Sequence, residues 1–289
     1  MIATALLAAA AVKAAPLFVH LQDGATWTIR TDHSRAVVRD GKTETWSLLT
    51  EKRLTWRKGG FTHTAELTIT PLTATPSAGS PPDLVKARSF PDPVVVEVGS
   101  NLIPTRFVDE KAVRATFANL PVVVDKNDTR TSDVAAMAMI AGDLTIVGRV
   151  QDFPLVLGTP HAYDVNLPGP APGLQAKAKT TYVLESYDPA AGRAVVTWRQ
   201  SVDPTSFRDS VTALLAFVAK AEPAKLDQIR AAIGGMTMTG EESCRYDLDL
   251  PTGLAIKADC EHVGTLSFGK TETRTTHHWT VTQTLPEAR

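Results

Sequence analysis

The strongest constraint on the fold is a pair of cysteines, Cys244 and Cys260, which bound a segment with the pattern of a β-hairpin. Pro251-Thr252-Gly253 lies midway between them and is typical of a turn, because proline fixes φ and glycine accepts a positive φ. Folding the chain about Thr252 places the cysteines opposite each other. The same register pairs Tyr246 with Ala258, Leu248 with Ile256, Leu250 with Leu254, Arg245 with Asp259 and Asp247 with Lys257.

Cysteines that face each other across a hairpin are within disulfide reach. In an oxidising compartment we expect a Cys244–Cys260 disulfide, whereas in a reducing one they would be two thiols in the core. Two cysteines without further ligands do not predict a zinc site. We therefore expect no metal and no cofactor at this position.

The N-terminus has the features of an export signal. An apolar run from Ile2 to Val12 precedes small residues that suit cleavage after Ala14, which makes residues 1–14 the expected signal peptide. Lys13 follows the run, and no basic residue precedes it. The alternative is a buried N-terminal helix. We expect a periplasmic or secreted protein with no transmembrane segment after signal cleavage, because no later segment is apolar for long enough.

The composition excludes some partners. The chain has 289 residues, and 30 Lys and Arg nearly balance 31 Asp and Glu. Nucleic acid is therefore not an expected partner, because phosphate binding needs a basic excess or a basic stripe. Hydrophobic residues make up 43% of the chain, which is enough for a packed core.

Strand patterns dominate the chain. Alternating residues predict N-terminal strands over 15–70, and Val94–Val98 and Ile103–Val108 predict two more. A second hairpin, Thr180–Val202, pairs Tyr182 with Trp198, Leu184 with Val196 and Ser186 with Ala194. The proline-rich residues 71–93 are interpreted as a linker or surface loop without regular structure, and 94–289 as the main domain with C-terminal antiparallel hairpins.

Helices are predicted at four places. Asp109 can cap a helix that ends at Leu120, and Asp133 can cap one over Val134–Ala141, before a strand over Leu144–Val150. Asp203-Pro204 and Glu222-Pro223 begin a helix pair. This order predicts an α+β fold in which an antiparallel, curved and half-barrel-like sheet carries the helix pair on one face.

The first helix of this pair has an apolar stripe at helical spacing. The stripe has two interpretations: core packing against the sheet, or one wall of a lipophilic cavity that holds an apolar ligand. The candidate cavity wall consists of Phe207, Val211, Leu214, Leu215 and Val218.

No catalytic motif stands out. Ser267-Phe268-Gly269-Lys270 matches Ser-x-x-Lys, but it lies in a predicted strand rather than at a helix start. Asp247 and Asp249 are two residues apart, yet Lys257 opposite Asp247 favours a salt bridge over acid–base chemistry. His277 and His278 point to opposite faces of a strand, so they cannot bind one metal ion. The remaining histidines are interpreted as isolated surface or loop residues: His20, His33, His63, His161 and His262.

Short motifs resemble exported bacterial β-rich proteins of unknown function. They are Phe153-Pro-Leu-Val-Leu-Gly158 before Tyr163 and the 180–202 hairpin, and Pro93-Val-Val-Val-Glu-Val98 before Pro104-Thr-Arg-Phe107. The order of elements is also similar to half-barrel envelope carriers of the LolA kind, and that likeness implies a lipid or acyl ligand. It assigns no ligand-binding residue.

The leading hypothesis is a non-enzymatic periplasmic protein that binds an apolar small molecule or an envelope protein. Two alternatives remain. One is a hydrolase with a site dispersed over a loop such as Pro71–Pro93. The other is a structural or interaction module of the cell envelope that uses an exposed strand edge.

Overall fold

The protein is described by a computed structural model, which covers residues 14–15, 17–58, 64–90, 92–117, 129–151, 154–168, 175–218, 228, 231 and 233–286. The strands are β1 (Ala14–Ala15), β2 (Thr26–Arg39), β3 (Lys42–Lys58), β4 (Thr64–Pro76), β5 (Val94–Gly99), β6 (Pro104–Phe107), β7 (Leu155–Val156), β8 (His161–Pro168), β9 (Gln175–Asp188), β10 (Arg193–Val202), β11 (Thr237–Asp249), β12 (Leu254–Phe268) and β13 (Thr271–Gln283). The helices are α1 (Pro82–Arg88), α2 (Glu110–Phe117), α3 (Thr129–Gly148) and α4 (Pro204–Val218).

Eleven strands form one open antiparallel sheet in the order β6-β5-β4-β3-β2-β13-β12-β11-β10-β9-β8. Strands β2–β6 and β8–β13 are two meanders, in which each strand pairs with the next along the chain. The meanders join where β13 pairs with β2, with Gln283 opposite Ile29 and Thr273 opposite Arg39. The predicted α+β class with an antiparallel sheet is confirmed.

The cysteine hairpin has the predicted register over its first half. Cys244 lies opposite Cys260 and is bonded to it, with an S–S distance of 2.10 Å. A bulge after Asp247 then shifts the pairing, so Leu248 faces Ala255 rather than Ile256, and Asp249 faces Leu254. A bulge adds one residue to one strand and therefore moves every later pair.

The 180–202 hairpin repeats this behaviour. Tyr182 pairs with Trp198 and Leu184 with Val196, as predicted. A bulge between Val195 and Val196 then places Ser186 opposite Val195. The predicted Ser186–Ala194 pair is therefore wrong, because a one-residue insertion near the turn leaves no local pattern in the sequence.

Helix α3 overturns one predicted strand. Residues 144–148 of the expected strand Leu144–Val150 belong to this helix, which has non-helical backbone angles at Ala141 (φ −129°, ψ 18°). Ile140, Leu144 and Val147 are fully buried at helical spacing. A short apolar run cannot be assigned to strand or helix by periodicity, which is why the pattern misled.

Two predicted helix starts are confirmed by their caps. Asp109 Oδ1 accepts a hydrogen bond from the Ala112 N–H (2.9 Å), and Asp203 Oδ1 accepts one from the Ser206 N–H (2.7 Å). These aspartates satisfy N–H groups that the first helical turn leaves free. The expected second helix of the pair, after Glu222-Pro223, lies mostly outside the described residues, as does the expected signal peptide before Ala14.

The proline-rich stretch 71–93 has more regular structure than its composition predicts. Strand β4 continues through Pro71 to Pro76, and α1 follows at Pro82. Pro71 is tolerated because it lies at a bulge, where the pairing moves from Glu51–Thr73 to Lys52–Pro71. β4 and β5, the strands at the two ends of this stretch, are antiparallel neighbours in the sheet.

Candidate functional site

One face of the sheet carries both the core and the candidate site. We call it the helix face, and it contains Trp27, Ile29 and Thr31 of β2, which are buried. Helix α3 lies on this face, since Lys52, the cross-strand partner of Ile29, donates a hydrogen bond from Nζ to the Ile140 carbonyl (2.7 Å). The Tyr182 hydroxyl likewise donates to the Arg149 carbonyl, just after α3 (3.0 Å). The opposite side is the outward face.

A cluster of charges is buried between β3, α1 and α3. Lys52 Nζ lies 2.6 Å from Asp143 Oδ2, and both side chains are almost fully buried. Arg88 Nη1 lies 4.0 Å from the same oxygen. Burial lowers the pKa of Lys52 to about 8, although Asp143 acts in the opposite direction. Burial would raise the pKa of Asp143, but the charges of Lys52 and Arg88 hold it below its usual value.

A row of cross-strand partners crosses the helix face beside this cluster. We call it the polar row, and each member lies directly opposite the next on the neighbouring strand. Direct partners in an antiparallel sheet share one face, so the row is continuous. Its members are Trp46, Arg35, His277, His262, Glu242, Gln200 and Thr180.

Two histidines and two tryptophans pack together at one end of the row. His33 Nε2 lies 3.0 Å from His277 Nδ1, so one ring donates a hydrogen bond to the other. The His33 ring meets Trp46 edge-on at 4.8 Å between centroids and stacks on Trp279 at 4.8 Å. His277 stacks on Trp279 as well, at 5.2 Å. All four rings are partly exposed.

Burial and neighbouring positive charges keep both histidines neutral. The pKa of His33 falls to about 3, mainly because the ring is desolvated, and His277, Arg88 and Arg35 lower it further. The pKa of His277 falls to about 4, again chiefly through desolvation, with contributions from Arg35 and His262. The neighbouring groups that lower these two pKa values are all basic side chains.

Three N–H donors around this cluster have no acceptor among the described residues. They are Arg35 Nε, Trp46 Nε1 and Arg88 Nη1, and each of these atoms is buried. Arg35 lies between Trp46 and His277 in the sheet register. Guanidinium and indole nitrogens can donate hydrogen bonds but not accept them, so the arrangement can bind an acceptor.

An ion pair occupies the middle of the polar row. Arg149 forms a short hydrogen-bonded ion pair with Glu242, and its guanidinium carbon lies 4.5 Å above the Trp198 ring. His262 Nδ1 lies 4.0 Å from the other Glu242 oxygen. Further along, Gln200 Nε2 donates to Thr180 Oγ1 (2.9 Å). Here the carboxylate of Glu242 balances the charge of Arg149.

The apolar stripe predicted on α4 is only partly covered. Phe207, Val211 and Leu214 are half-buried and Leu215 is 40% exposed, while the side chain of Val218 lies outside the described residues. A groove of about 490 Å³ lies elsewhere, lined largely by outward-face residues such as Arg199, Glu241 and Glu261. The lipophilic cavity beside α4 stays a prediction.

The other candidates fall into ordinary structural roles. Asp249 is buried and accepts hydrogen bonds from the Thr252 N–H and hydroxyl (3.2 and 2.7 Å), so it stabilises the turn. Asp247 pairs with Arg245 along its own strand (2.7 Å). Ser267 lies in strand β12, as expected, and Lys270 lies in the turn before β13. Within the part of the chain that the structure describes, no three His, Cys, Asp or Glu side chains are placed to hold a metal ion.

Sequence reasoning missed the histidine cluster, although part of the signal was present. The two hairpin registers, extended by two residues, already pair Glu242 with His262 and Gln200 with Thr180 on an otherwise apolar face. The contact between His33 and His277 spans 244 residues, and no local pattern reports it. The sequence predicts that His33 and His262 are isolated, whereas the sheet brings both next to His277.

Comparisons with known proteins assign no family. No protein-family model matches the chain, and no curated protein matches it. Among solved structures, it is similar to DynF from the dynemicin biosynthesis pathway of Micromonospora chersina, with 9% identity, 94% of this chain and 86% of that one covered, and a TM-score of 0.19. OccK11 (OpdR) of Pseudomonas aeruginosa is 8% identical over 93% of this chain and 99% of that one, with a TM-score of 0.22.

A DUF1329 family protein from Desulfovibrio piger is 9% identical over 87% of this chain and 83% of that one, with a TM-score of 0.14. TM-scores this low carry no argument about fold or function, so the resemblance to half-barrel envelope carriers stays a prediction. No helix in the described ranges combines the length and apolar character needed to cross a membrane.

Proposed function

We propose that the protein is a non-enzymatic binding protein of the cell envelope, which holds an apolar ligand or an envelope partner against the helix face. The observation that carries this proposal is the partly exposed end of the polar row, where two tryptophan rings and two neutral histidines pack together. Aromatic rings supply apolar contact area, and a few polar groups beside them fix the orientation of a ligand.

The contacts of His33 and His277 favour binding over catalysis. His33 and His277 contact each other and tryptophan rings, which is not the geometry of a base that activates a nucleophile. The disulfide between Cys244 and Cys260 supports an extracytoplasmic location, because such bonds persist in oxidising compartments. The apolar N-terminal run supports the same location.

Native mass spectrometry of the protein purified from a periplasm tests the proposal. We expect a stoichiometric, lipid-sized adduct that is released on denaturation and can be extracted and identified. Replacing both rings, in the variant Trp46→Ala/Trp279→Ala, should remove most of the adduct. His278→Ala is the matched control, because His278 is exposed on the outward face beside His277.

A bare mass for the wild-type protein, also after incubation with a total lipid extract, would contradict the apolar-ligand form of the proposal. Cross-linking in intact cells would then test the envelope partner. An adduct that persists equally in the double tryptophan variant would place the ligand elsewhere, and the stripe on α4 would be the next site to change.

A further inference from the structure

The three donors at the end of the polar row form an incomplete hydrogen-bonding site. A buried N–H group without an acceptor costs about 1–3 kcal/mol, so native proteins supply such groups with a partner, a water molecule or a bound ion. Arg35 Nε, Trp46 Nε1 and Arg88 Nη1 lack an acceptor among the described residues. Trp46 contacts the His33 ring, and Arg35 lies two residues after His33 on the same face of β2.

The position of each donor follows from the fold. Trp46 and Arg35 are direct partners on β3 and β2, so their side chains lie side by side on the helix face. Arg88 is the last residue of helix α1, and its Nη1 lies 4.0 Å from Asp143 Oδ2. The same oxygen accepts a hydrogen bond from Thr31 Oγ1, two residues before His33 on β2. The donors therefore come from two strands and one helix that border the same part of the helix face, on either side of His33.

The charges of the site are not balanced. Asp143 is already bonded to Lys52 at 2.6 Å, so Arg88 shares a carboxylate with a closer cation. The described residues place no carboxylate beside Arg35 comparable to the Glu242 that balances Arg149. Two guanidinium groups beside two neutral histidines make a positive, poorly hydrated environment, in which hydrogen bonds to an anion are strong.

We propose that Arg35, Trp46 and Arg88 bind the oxyanion of an amphipathic ligand, a carboxylate or a phosphate, whose apolar part packs on the rings of Trp46 and Trp279. This inference rests on the proposed function for the apolar part. The oxyanion supplies the acceptors that the described residues do not provide for these donors, and a planar guanidinium suits both a carboxylate and a phosphate. The neutral His33–His277 pair lets the anion approach without a further charge to neutralise.

Binding of four probes tests this inference: palmitate, methyl palmitate, hexadecyl phosphate and inorganic phosphate. Affinities are measured by tryptophan fluorescence and isothermal titration calorimetry on the full-length mature protein. We expect palmitate or hexadecyl phosphate to bind at least about tenfold more tightly than the uncharged ester, since a charge-assisted hydrogen bond contributes this much. The tighter of the two anions identifies the headgroup.

Two variants remove single donors. Arg35→Gln should weaken binding of the anionic probe by about tenfold and binding of the methyl ester much less, because it removes a charged donor. Trp46→Phe removes the indole N–H as well as part of the ring, so it should weaken both probes, and the anionic probe by about tenfold more than the ester. Arg30→Gln is the control, since Arg30 lies on the same strand and is exposed on the outward face. A thermal melt of each variant serves to check that it is folded.

The outcomes separate this inference from the proposed function. Equal affinity for palmitate and its ester, or equal weakening of both in Arg35→Gln, overturns the oxyanion site and leaves apolar binding in place. If no amphiphile binds but inorganic phosphate raises the melting temperature of the wild type and not of Arg35→Gln, the oxyanion site stands and the apolar ligand is refuted. If no probe has an effect, both the oxyanion site and the apolar-ligand form of the proposed function fail, and only the envelope partner is left to test.

Discussion

Lys52 shows how one residue can break the pattern of its strand. It lies between Thr50 and Leu54 on the buried side of β3, where the alternation calls for an apolar side chain. Its charge is tolerated because Asp143 and the Ile140 carbonyl both accept hydrogen bonds from Nζ. A buried charge is stable only when it is paired and hydrogen-bonded, and its partner here comes from a helix 91 residues away.

Removing either member of this pair should destabilise the protein, but not equally. Asp143→Asn leaves Lys52 and Arg88 buried without their shared anion, and we expect it to lower the free energy of unfolding by about 3–5 kcal/mol. Lys52→Met leaves Arg88 beside Asp143, so its cost should be smaller. Urea denaturation at pH 7 measures both.

The surface pair Lys257–Asp259 is the matched control for this comparison. It has the same 2.6 Å separation, but its side chains are 45% and 38% exposed. Lys257→Met should therefore change the free energy of unfolding very little, because an exposed ion pair is screened by solvent. A loss in Asp143→Asn no larger than in Lys257→Met would show that the buried cluster is hydrated in solution.

The two neutral histidines predict a pH dependence of stability. Their folded pKa values, about 3 for His33 and about 4 for His277, lie below the ordinary value of 6.5. The unfolded chain therefore binds more protons as the pH falls below 6.5, and the stabilisation present above that pH is lost towards the folded values. Because both rings are partly exposed, we expect a loss on the order of 2 kcal/mol between pH 7.5 and pH 5.

The free energy of unfolding of the variant His33→Gln/His277→Gln should depend less on pH over this range. The dependence of His278→Gln should match that of the wild type. Chemical denaturation at a series of pH values provides the measurement. Parallel profiles for wild type and double variant would mean that the rings are hydrated, and that their pKa values are not depressed.

At the level of secondary-structure elements, one turn connects several parts of the fold. The turn of the cysteine hairpin receives the N-terminal segment, since the His20 N–H donates to the Thr252 carbonyl (2.8 Å) and Gln151 donates to the Gly253 carbonyl (2.9 Å). It also touches the neighbouring hairpin, where the Leu250 N–H donates to the Gly192 carbonyl (2.9 Å). Three parts of the chain therefore depend on the shape of this turn.

Gly253 is the residue on which this docking depends. Its φ is +72°, and an added Cβ would lie 1.8 Å from the Phe18 carbonyl oxygen. Gly253→Ala should therefore displace the segment around Phe18 in addition to straining the backbone. Gly269 has a similar φ of +62° but open space around it, so Gly269→Ala should cost only the left-handed strain of about 1–2 kcal/mol.

We expect Gly253→Ala to lose at least about 1 kcal/mol more than Gly269→Ala in thermal or urea denaturation. Hydrogen exchange should also become faster at the His20 amide in the first variant and not in the second. Equal losses and unchanged exchange would show that residues 17–20 do not pack on the turn.

At the scale of the whole molecule, local pairing could be predicted and distant pairing could not. Opposed charges and alternation gave both hairpin registers up to their bulges, because partners there are close in sequence. Leu144–Val150 was misassigned because a helix buried against the sheet has no polar side to reveal its period. The candidate site depends on the pairing of β2 with β13, which brings Arg35 next to His277, and that register is set by the assembled sheet.

The pairing of β2 with β13 also determines when the sheet can be completed during synthesis. Thr28 is hydrogen-bonded to Thr284, 256 residues later, so β13, which is synthesised after the other ten strands of the sheet, completes its middle. Until it arrives, β2 leaves a long row of unpaired backbone groups on the first meander, and such an edge invites aggregation. If the chain crossed the membrane unfolded and began to fold only after export, β2 and β13 would be available at the same moment. The backbone edge of β2 would then be exposed only for the time of one folding event.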